Sequence, residues 1–407
     1  IPSGFKVSGL LNEQLLIQSL ERLAERHEVL RTTFDTDESG NAVQIIADKP
    51  DIAWRSADLR HLAPAEREAE SDRIMLEDVM RPCDLTQGPL WRTTIIRTGE
   101  AEYRLIFTMH HIVFDGWSLS VFIRELAAIY EALSVGAPLL LPPPPMQYAD
   151  YALERQERLS KGLLKEQLAY WEEHLAGALP ILELPADRPR PPVQTFRGAM
   201  HTLILPVELY TELKSISREE GVTLFMTLLA LFKILLYRYS GLTDIIVGFP
   251  ISGRHEQHLE NMIGVFVNTL PLRSNLSGDP TFSELLAQVR QTALHAYENQ
   301  DVPFDMLVET LKPERNLSHN PLFQVLFTYQ NALPPIEARD IAFTYEAVDG
   351  GTAKFDLSLD IFEGPEGPTC IFEYNTDLFD HERIVRMAGH FQTLAEAPVQ
   401  NRHARVS

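Results

Sequence analysis

Met109-His110-His111-Ile112-Val113-Phe114-Asp115-Gly116-Trp117-Ser118 sets two adjacent histidines at the end of one apolar run and an Asp-Gly pair at the start of another. Before the histidines, Leu105, Phe107 and Met109 alternate with Ile106, Thr108 and His110, the period of two of a buried strand. His110 and His111 therefore fall on opposite faces if the strand runs that far. After the Asp-Gly pair, Leu119, Phe122, Ile123, Leu126, Ile129, Tyr130 and Leu133 recur at helical spacing. A strand, a short polar loop and a helix thus meet at one point, which makes this a mixed α/β (α+β) chain. A second strand over Trp91–Arg97 joins the first through the turn-like Gly99-Glu100-Ala101-Glu102. Further upstream, a short strand over 5–9 precedes a helix carrying Leu16, Leu20, Leu23 and Leu30, with Asn12 as its cap.

The remaining composition sets scale and excludes classes. At 407 residues the chain is too long for one small core and suits two lobes. Pro142 to Pro145 form a stiff connector, 159–175 reads as a charged helix, and a new strand-and-helix pattern starts at Thr195. These put the boundary at residue 165, giving lobes 1–165 and 166–407. A net charge of −21 argues against nucleic acid as the main partner. Cys83 and Cys370 are too few for a disulfide scaffold or a cysteine metal site. The most apolar stretch, 222–236, is interrupted by Lys233 and reads as a buried helix rather than a membrane span. The first residues lack the regions of a signal peptide. A cytoplasmic monomer with no membrane and no bound metal is expected.

Nucleotide-binding glycine loops are missing. Gly116-Trp117-Ser118-Leu119-Ser120 misses the hydrolase elbow at its last position, so Ser118 reads as a helix cap. His255-Glu256-Gln257-His258 spaces its histidines by three instead of the zincin four and reads as a polar surface loop. The double histidine is more informative. An imidazole there can take a proton from a nucleophile or hold it by hydrogen bond. Gly116 lets the chain turn tightly and leaves an N–H at a helix start, where oxyanion charge is stabilised. A buried Asp115 needs a cation or several donors.

His110 to Ser118 resembles the core motif, HHxxxDG, of condensation domains of nonribosomal peptide synthetases. Arg26-His27-Glu28-Val29-Leu30-Arg31-Thr32-Thr33-Phe34 resembles the family's second motif, and Tyr148-Ala149-Asp150-Tyr151-Ala152 the one after the histidines. Ile263-Gly264-Val265-Phe266-Val267-Asn268-Thr269-Leu270-Pro271-Leu272-Arg273 is similar to the next. Asn299-Gln300-Asp301-Val302-Pro303-Phe304-Asp305 and Arg315-Asn316-Leu317-Ser318-His319-Asn320-Pro321-Leu322 are similar to the last two. The family's first motif is absent, so the chain is expected to start inside the domain, as a piece excised from an assembly line or as a free-standing enzyme.

The resemblance implies two chloramphenicol-acetyltransferase-like lobes in a V-shaped pseudo-dimer, with the active site at the junction. It implies a donor carrier protein presenting an acyl or peptidyl thioester and an acceptor carrier presenting an aminoacyl thioester. Each carrier supplies its own 4'-phosphopantetheine arm, and adenylation and carrier domains are the neighbours. The acceptor α-amine attacks the donor carbonyl to form an amide. His111 and Gly116 are the implied catalytic residues, with His111 either general base or positioning group. His110 is assigned a structural role. Asp115 is assigned to an ion pair, with Arg31 as first partner and Arg273 as second. Trp117, Ser118, Asn268 and Thr269 are the tunnel residues, although Trp117 also reads as core and Asn268 as a strand cap. Trp117-Ser118 reverses the order found in epimerization domains, and the histidines argue against heterocyclization. A coenzyme A-dependent acyltransferase of the same fold and an inactive partner-recruiting platform are the alternatives.

Overall fold

The computed structural model describes residues 1–314, 316–331, 333–364 and 367–407. Arg315, which opens the last motif, lies outside them. The alternation before the double histidine is the strand Glu102–Met109, antiparallel to Trp91–Arg97 with Met109 opposite Trp91. Both of its faces are covered. Leu105 and Phe107 join a core with Leu16, Leu20 and Phe122, while Ile106 packs with Ile74 and Met75. Helices therefore lie on either side of this sheet. Among the described residues its spatial order is Ile336–Ala338, Ile341–Glu346, Pro2–Gly9, Glu102–Met109, Trp91–Arg97, Ala53–Asp58.

Local signals account for most element ends. The helix Glu13–Arg26 starts where the Asn12 side chain accepts the Leu15 N–H at 3.1 Å. It stops before Leu30, because His27 takes an extended backbone and the chain tightens into the 3-10 turn Glu28–Arg31. The expected helix over 159–175 is two helices, Tyr148–Ser160 and Lys165–His174. Gly162 separates them with φ at 66°, a conformation that ends helices.

Two compact units result, and a single cut at residue 165 does not describe them. The first unit holds Ile1–Lys161, Arg254–Val267 and Leu333–Gly350, and the rest of the described chain forms the second. The late segment belongs to the first unit because Pro2–Gly9 needs a partner on its free edge. Ile341–Glu346 supplies it, antiparallel, from Gly4 opposite Glu346 to Gly9 opposite Ile341. Arg104 then donates to Glu346 across that sheet at 3.0 Å. Such pairing is non-local, and hydrophobic periodicity carries no record of it.

In the second unit the sheet order is Gly198–Ile204, Thr369–Asn375, Leu357–Glu363, Val325–Asn331, Asp244–Ile251, Asn268–Asn275 among the described residues. Helices cover one face. Phe232 of Leu224–Ser240 meets Phe327 at 5.8 Å between ring centres, and Phe391 of His381–Asn401 meets Phe372 at 6.0 Å. Among the described residues no single helix is long and apolar enough to cross a membrane.

The apolar run over 222–236 is the buried helix expected, and Lys233 is buried with it. Its ammonium is desolvated, which pushes its pKa down to about 7. Nζ donates to Leu272 O at 2.8 Å and Ser274 Oγ at 2.7 Å. Unfolding returns Lys233 to the ordinary lysine value near 10.4, so between pH 7 and pH 10 the unfolded chain holds more protons at this group. This residue therefore makes stability increase with pH across that window. Denaturant titration of Lys233→Met should show the increase between pH 7 and pH 9 flattened relative to the parent chain.

Candidate active site

The histidine loop hangs between a strand end and a helix start, and each junction is pinned. His110 N–H donates to Leu90 O at 2.8 Å, and its Nδ1 accepts Ile112 N–H at 3.1 Å. Burial holds this imidazole below its ordinary range. A neutral ring turned back onto its own loop shapes the turn. His111 opens that turn, half-buried. Val113 and Phe114 drop into the core, fully buried.

Asp115 caps the helix Gly116–Val135 by accepting Ser118 N–H at 2.9 Å, so the cap is Asp115 and not Ser118. Its carboxylate is buried, and its cation is Arg254. Arg254 Nη1 reaches Oδ2 at 2.8 Å and Nη2 reaches Oδ1 at 3.1 Å, a two-pronged pair. Phe266 N–H adds a third contact to Oδ2 at 3.0 Å. The Arg254 side chain is itself fully buried and lies 4.1 Å over the Phe266 ring.

The two arginines expected beside Asp115 are engaged elsewhere. Arg31 donates to Ala47 O and Glu28. Arg273 grips Asp244 with Nε at 3.0 Å and Nη2 at 2.7 Å. Arg254 was hidden from sequence reasoning because it precedes His255-Glu256-Gln257-His258 in a stretch that reads as surface loop. Those four residues are exposed, but Arg254 points inward. A partner 139 residues away leaves no spacing signal.

The remaining site residues stitch the segment Arg254–Val267 to the histidine loop. The Ser118 hydroxyl lies 2.7 Å from Asp115 Oδ1 and 2.9 Å from Gly264 O, and accepts Gly264 N–H at 3.1 Å. Trp117 is neither core nor free: it is 45% exposed, and its indole N–H donates to Glu260 O at 2.9 Å. Tyr148 donates to Val265 O at 2.9 Å, and its ring fills the space where a side chain at residue 264 would stand. A Cβ there would come within 2.2 Å of that ring, which explains the glycine.

Gly116 is different. It is exposed, its φ lies outside the left-handed region, and a Cβ would meet nothing within 4 Å. The tight turn expected there does not require glycine, so what the residue provides is an unobstructed helix start. Asn268 has no capacity left for substrate. Its amide donates to Gln300 O at 2.9 Å and Val302 O at 2.7 Å, while Oδ1 accepts from Thr269 N at 2.9 Å and Phe304 N at 3.0 Å. Thr269 beside it is half-buried.

The second motif supports the same helix from behind. His27 Nε2 lies 2.7 Å from Glu125 Oε2, and Arg26 Nε donates to that oxygen at 2.9 Å. Burial alone would raise Glu125, yet these two neighbours hold it below the usual carboxylate range. Gln147 ties in the next motif, donating to Arg26 O and accepting Glu28 N–H, both at 3.1 Å.

The second motif, the Tyr148 motif and the Ile263–Phe266 part of the next thus meet around one helix and the histidine loop. A family model described as Condensation domain matches residues 1–407. The chain belongs to that family. Condensation domains are the amide-forming acyltransferases of nonribosomal peptide synthesis, and this domain shares their mixed α/β architecture. It is 50% identical over 404 residues to a linear gramicidin synthase protein of Brevibacillus parabrevis, covering 98% of this chain and 5% of that protein. The domain therefore spans a small fraction of that relative's length. Among solved structures, the X-domain from teicoplanin biosynthesis is similar with a TM-score of 0.89 at 28% identity, over 100% of this chain and 91% of that one. The first condensation domain of the calcium-dependent antibiotic synthetase shares the fold with a TM-score of 0.84 at 20% identity, over 100% and 92% of the two chains.

The buried pair sets a direct expectation for the condensation domain. Arg254→Ala strands Asp115 without its cation and should cost about 3–5 kcal/mol in denaturant unfolding, whereas Arg31→Ala leaves Asp115 fully bonded. Gly264→Ala should lower stability by about 1–3 kcal/mol through overlap with Tyr148, and Gly116→Ala should leave it unchanged. Equal losses at residues 31 and 254 would contradict this assignment.

Proposed function

We propose that the domain joins an acyl or peptidyl group, held as a thioester on a donor carrier protein, to the α-amine of an aminoacyl thioester on an acceptor carrier. The 4'-phosphopantetheine arms are then substrate parts supplied by the carriers. The observation that supports this reading most strongly is the fully bonded Asp115 beneath the histidine loop. A loop braced by a buried ion pair holds His111 with little motion, as positioning chemistry demands.

The chemistry needs modest help, because a thioester is reactive and an α-amine with a pKa near 8 is partly neutral at pH 7. The amine nitrogen bonds to the thioester carbon, His111 receives or steers the amine proton, and the tetrahedral oxyanion collapses. The C–S bond breaks, the donor arm leaves as a thiol, and the lengthened chain stays on the acceptor arm. Gly116, with no side chain over the helix start, leaves room for the oxyanion near the helix N-terminus. A cytoplasmic setting goes with this reading, since carrier thiols must stay reduced.

A second reading has one observation in its favour. The similar X-domain has been solved in complex with OxyB, which makes a partner-recruiting platform the competitor. The retained double histidine and its bonded Asp115 favour catalysis. The test loads donor and acceptor carriers and detects the amide by mass spectrometry. Product should form and should fall about 100-fold or more in His111→Ala. No amide with any donor, or identical yields from parent and variant, would overturn the enzyme reading. Product from coenzyme A thioesters alone would favour the coenzyme A-dependent acyltransferase.

A further inference from the structure

His110 holds the histidine loop at two points. Its backbone N–H donates to Leu90 O at 2.8 Å, and its ring Nδ1 accepts Ile112 N–H at 3.1 Å. The second bond joins residues two apart, so one imidazole closes the turn that contains His111. The Ile112 side chain packs against the first unit's core, while its N–H looks back to the His110 ring. The turn's backbone bond, from Val113 N–H to His110 O, is longer at 3.2 Å.

An imidazole nitrogen accepts a hydrogen bond only when it is unprotonated, whereas an imidazolium donates from both nitrogens. The Ile112 contact therefore requires a neutral His110 with its proton on Nε2. Protonation would set two N–H groups against each other across that contact. The surroundings keep the ring neutral. Burial holds it below its ordinary range, and the Ile1 ammonium, which donates to Met109 O at 2.6 Å, acts in the same direction. Two carboxylates that could favour the charged form are already matched. Asp78, which accepts from Thr108 in the strand before His110, is paired with Arg92, and Asp115 in the same loop is paired with Arg254. His111, next in the chain, is the remaining ionisable neighbour on this loop.

On the reading proposed above, we infer that His110 is a positioning residue for the reaction, which keeps the His111 turn closed while its ring is neutral and releases the turn on protonation. In this role His110 acts through Ile112 and touches no substrate. The turn is closed at and above the ordinary imidazole pKa of about 6.5, and it opens as the pH falls below that. Activity lost on that side belongs in part to loop geometry, separately from the protonation of the attacking amine.

The test has a spectroscopic and a kinetic arm, both on the intact domain between pH 5.5 and pH 8. With isotope-labelled histidine, the His110 ring is assigned by through-bond correlation to its backbone. It should carry its proton on Nε2 at pH 7.5, and the Ile112 amide should titrate with the same midpoint as the ring. Asparagine can accept the N–H two residues on but takes up no proton. His110→Asn should therefore lose that titration of Ile112. With rates normalised to pH 8, amide formation by the parent should fall more steeply than that by His110→Asn, by about tenfold per pH unit below the midpoint. His110→Ala, which offers no acceptor, should be about 3–10-fold slower than His110→Asn at pH 8. If a variant fails to fold, the titration of the parent's ring and Ile112 amide still decides. A proton on Nδ1 at pH 7.5 would overturn the inference, as would an Ile112 amide that does not follow the ring. So would parallel pH profiles for the parent and His110→Asn, or equal rates for the Ala and Asn variants. A coupled titration without amide from any pair of carriers would overturn the enzyme reading alone. Amide formation with an uncoupled Ile112 would overturn this inference alone.

Discussion

The buried pair between Asp115 and Arg254 is the constraint on which the first unit's functional end depends. Removing a carboxylate and a guanidinium from water costs several kcal/mol each, and only saturated hydrogen bonding offsets that. Saturation here recruits a helix start through Ser118 N–H, a loop backbone through Phe266 N–H, and carbonyls of Leu259 and Met262 through the remaining guanidinium N–H groups. Every one of these groups has to be in position at once. The pair is therefore less a source of net stability than a device that admits one loop geometry.

That geometry is reinforced by packing rather than by further charge. Gly264 lets Tyr148 lie flat against the returning segment, and Tyr148, Tyr151 and Phe266 close the other side, with Tyr151 and Phe266 centred 4.6 Å apart. Behind the helix, His27, Arg26 and Glu125 repeat the arrangement of a buried acid with complete partners. His110 adds a short internal bond that sets the turn. The half-buried His111 thus sits in a turn whose flanking residues are all committed. A reaction that relies on approach geometry more than on activation suits such a frame.

Buried charge elsewhere in the chain is likewise satisfied from within. Asp356 is paired with Arg190, and Glu125 with Arg26 and His27. Lys233 shows that desolvation by itself does not mark a site, because its two bonds stay inside the core.

Much of this molecule could be read from its amino acids. Period-two alternation located the strand ending at Met109, and the Leu119 to Leu133 stripe located the helix after it. The motif pattern from Arg26 to Leu322 was sufficient to name the family, because those spacings are local properties of the chain. Roles that depend on distant partners were not legible. Arg254 looked like part of a surface loop, Asn268 like a tunnel wall, and Ser118 like the cap that Asp115 provides. The returns of Arg254–Val267 and Leu333–Gly350 to the first unit were equally hidden. Periodicity records which face of an element is buried, whereas ion pairing and strand pairing between distant segments are settled by where the whole chain can satisfy its buried polar groups. Sequence determined the elements and the chemistry available to this domain; only the tertiary structure decided which charges meet.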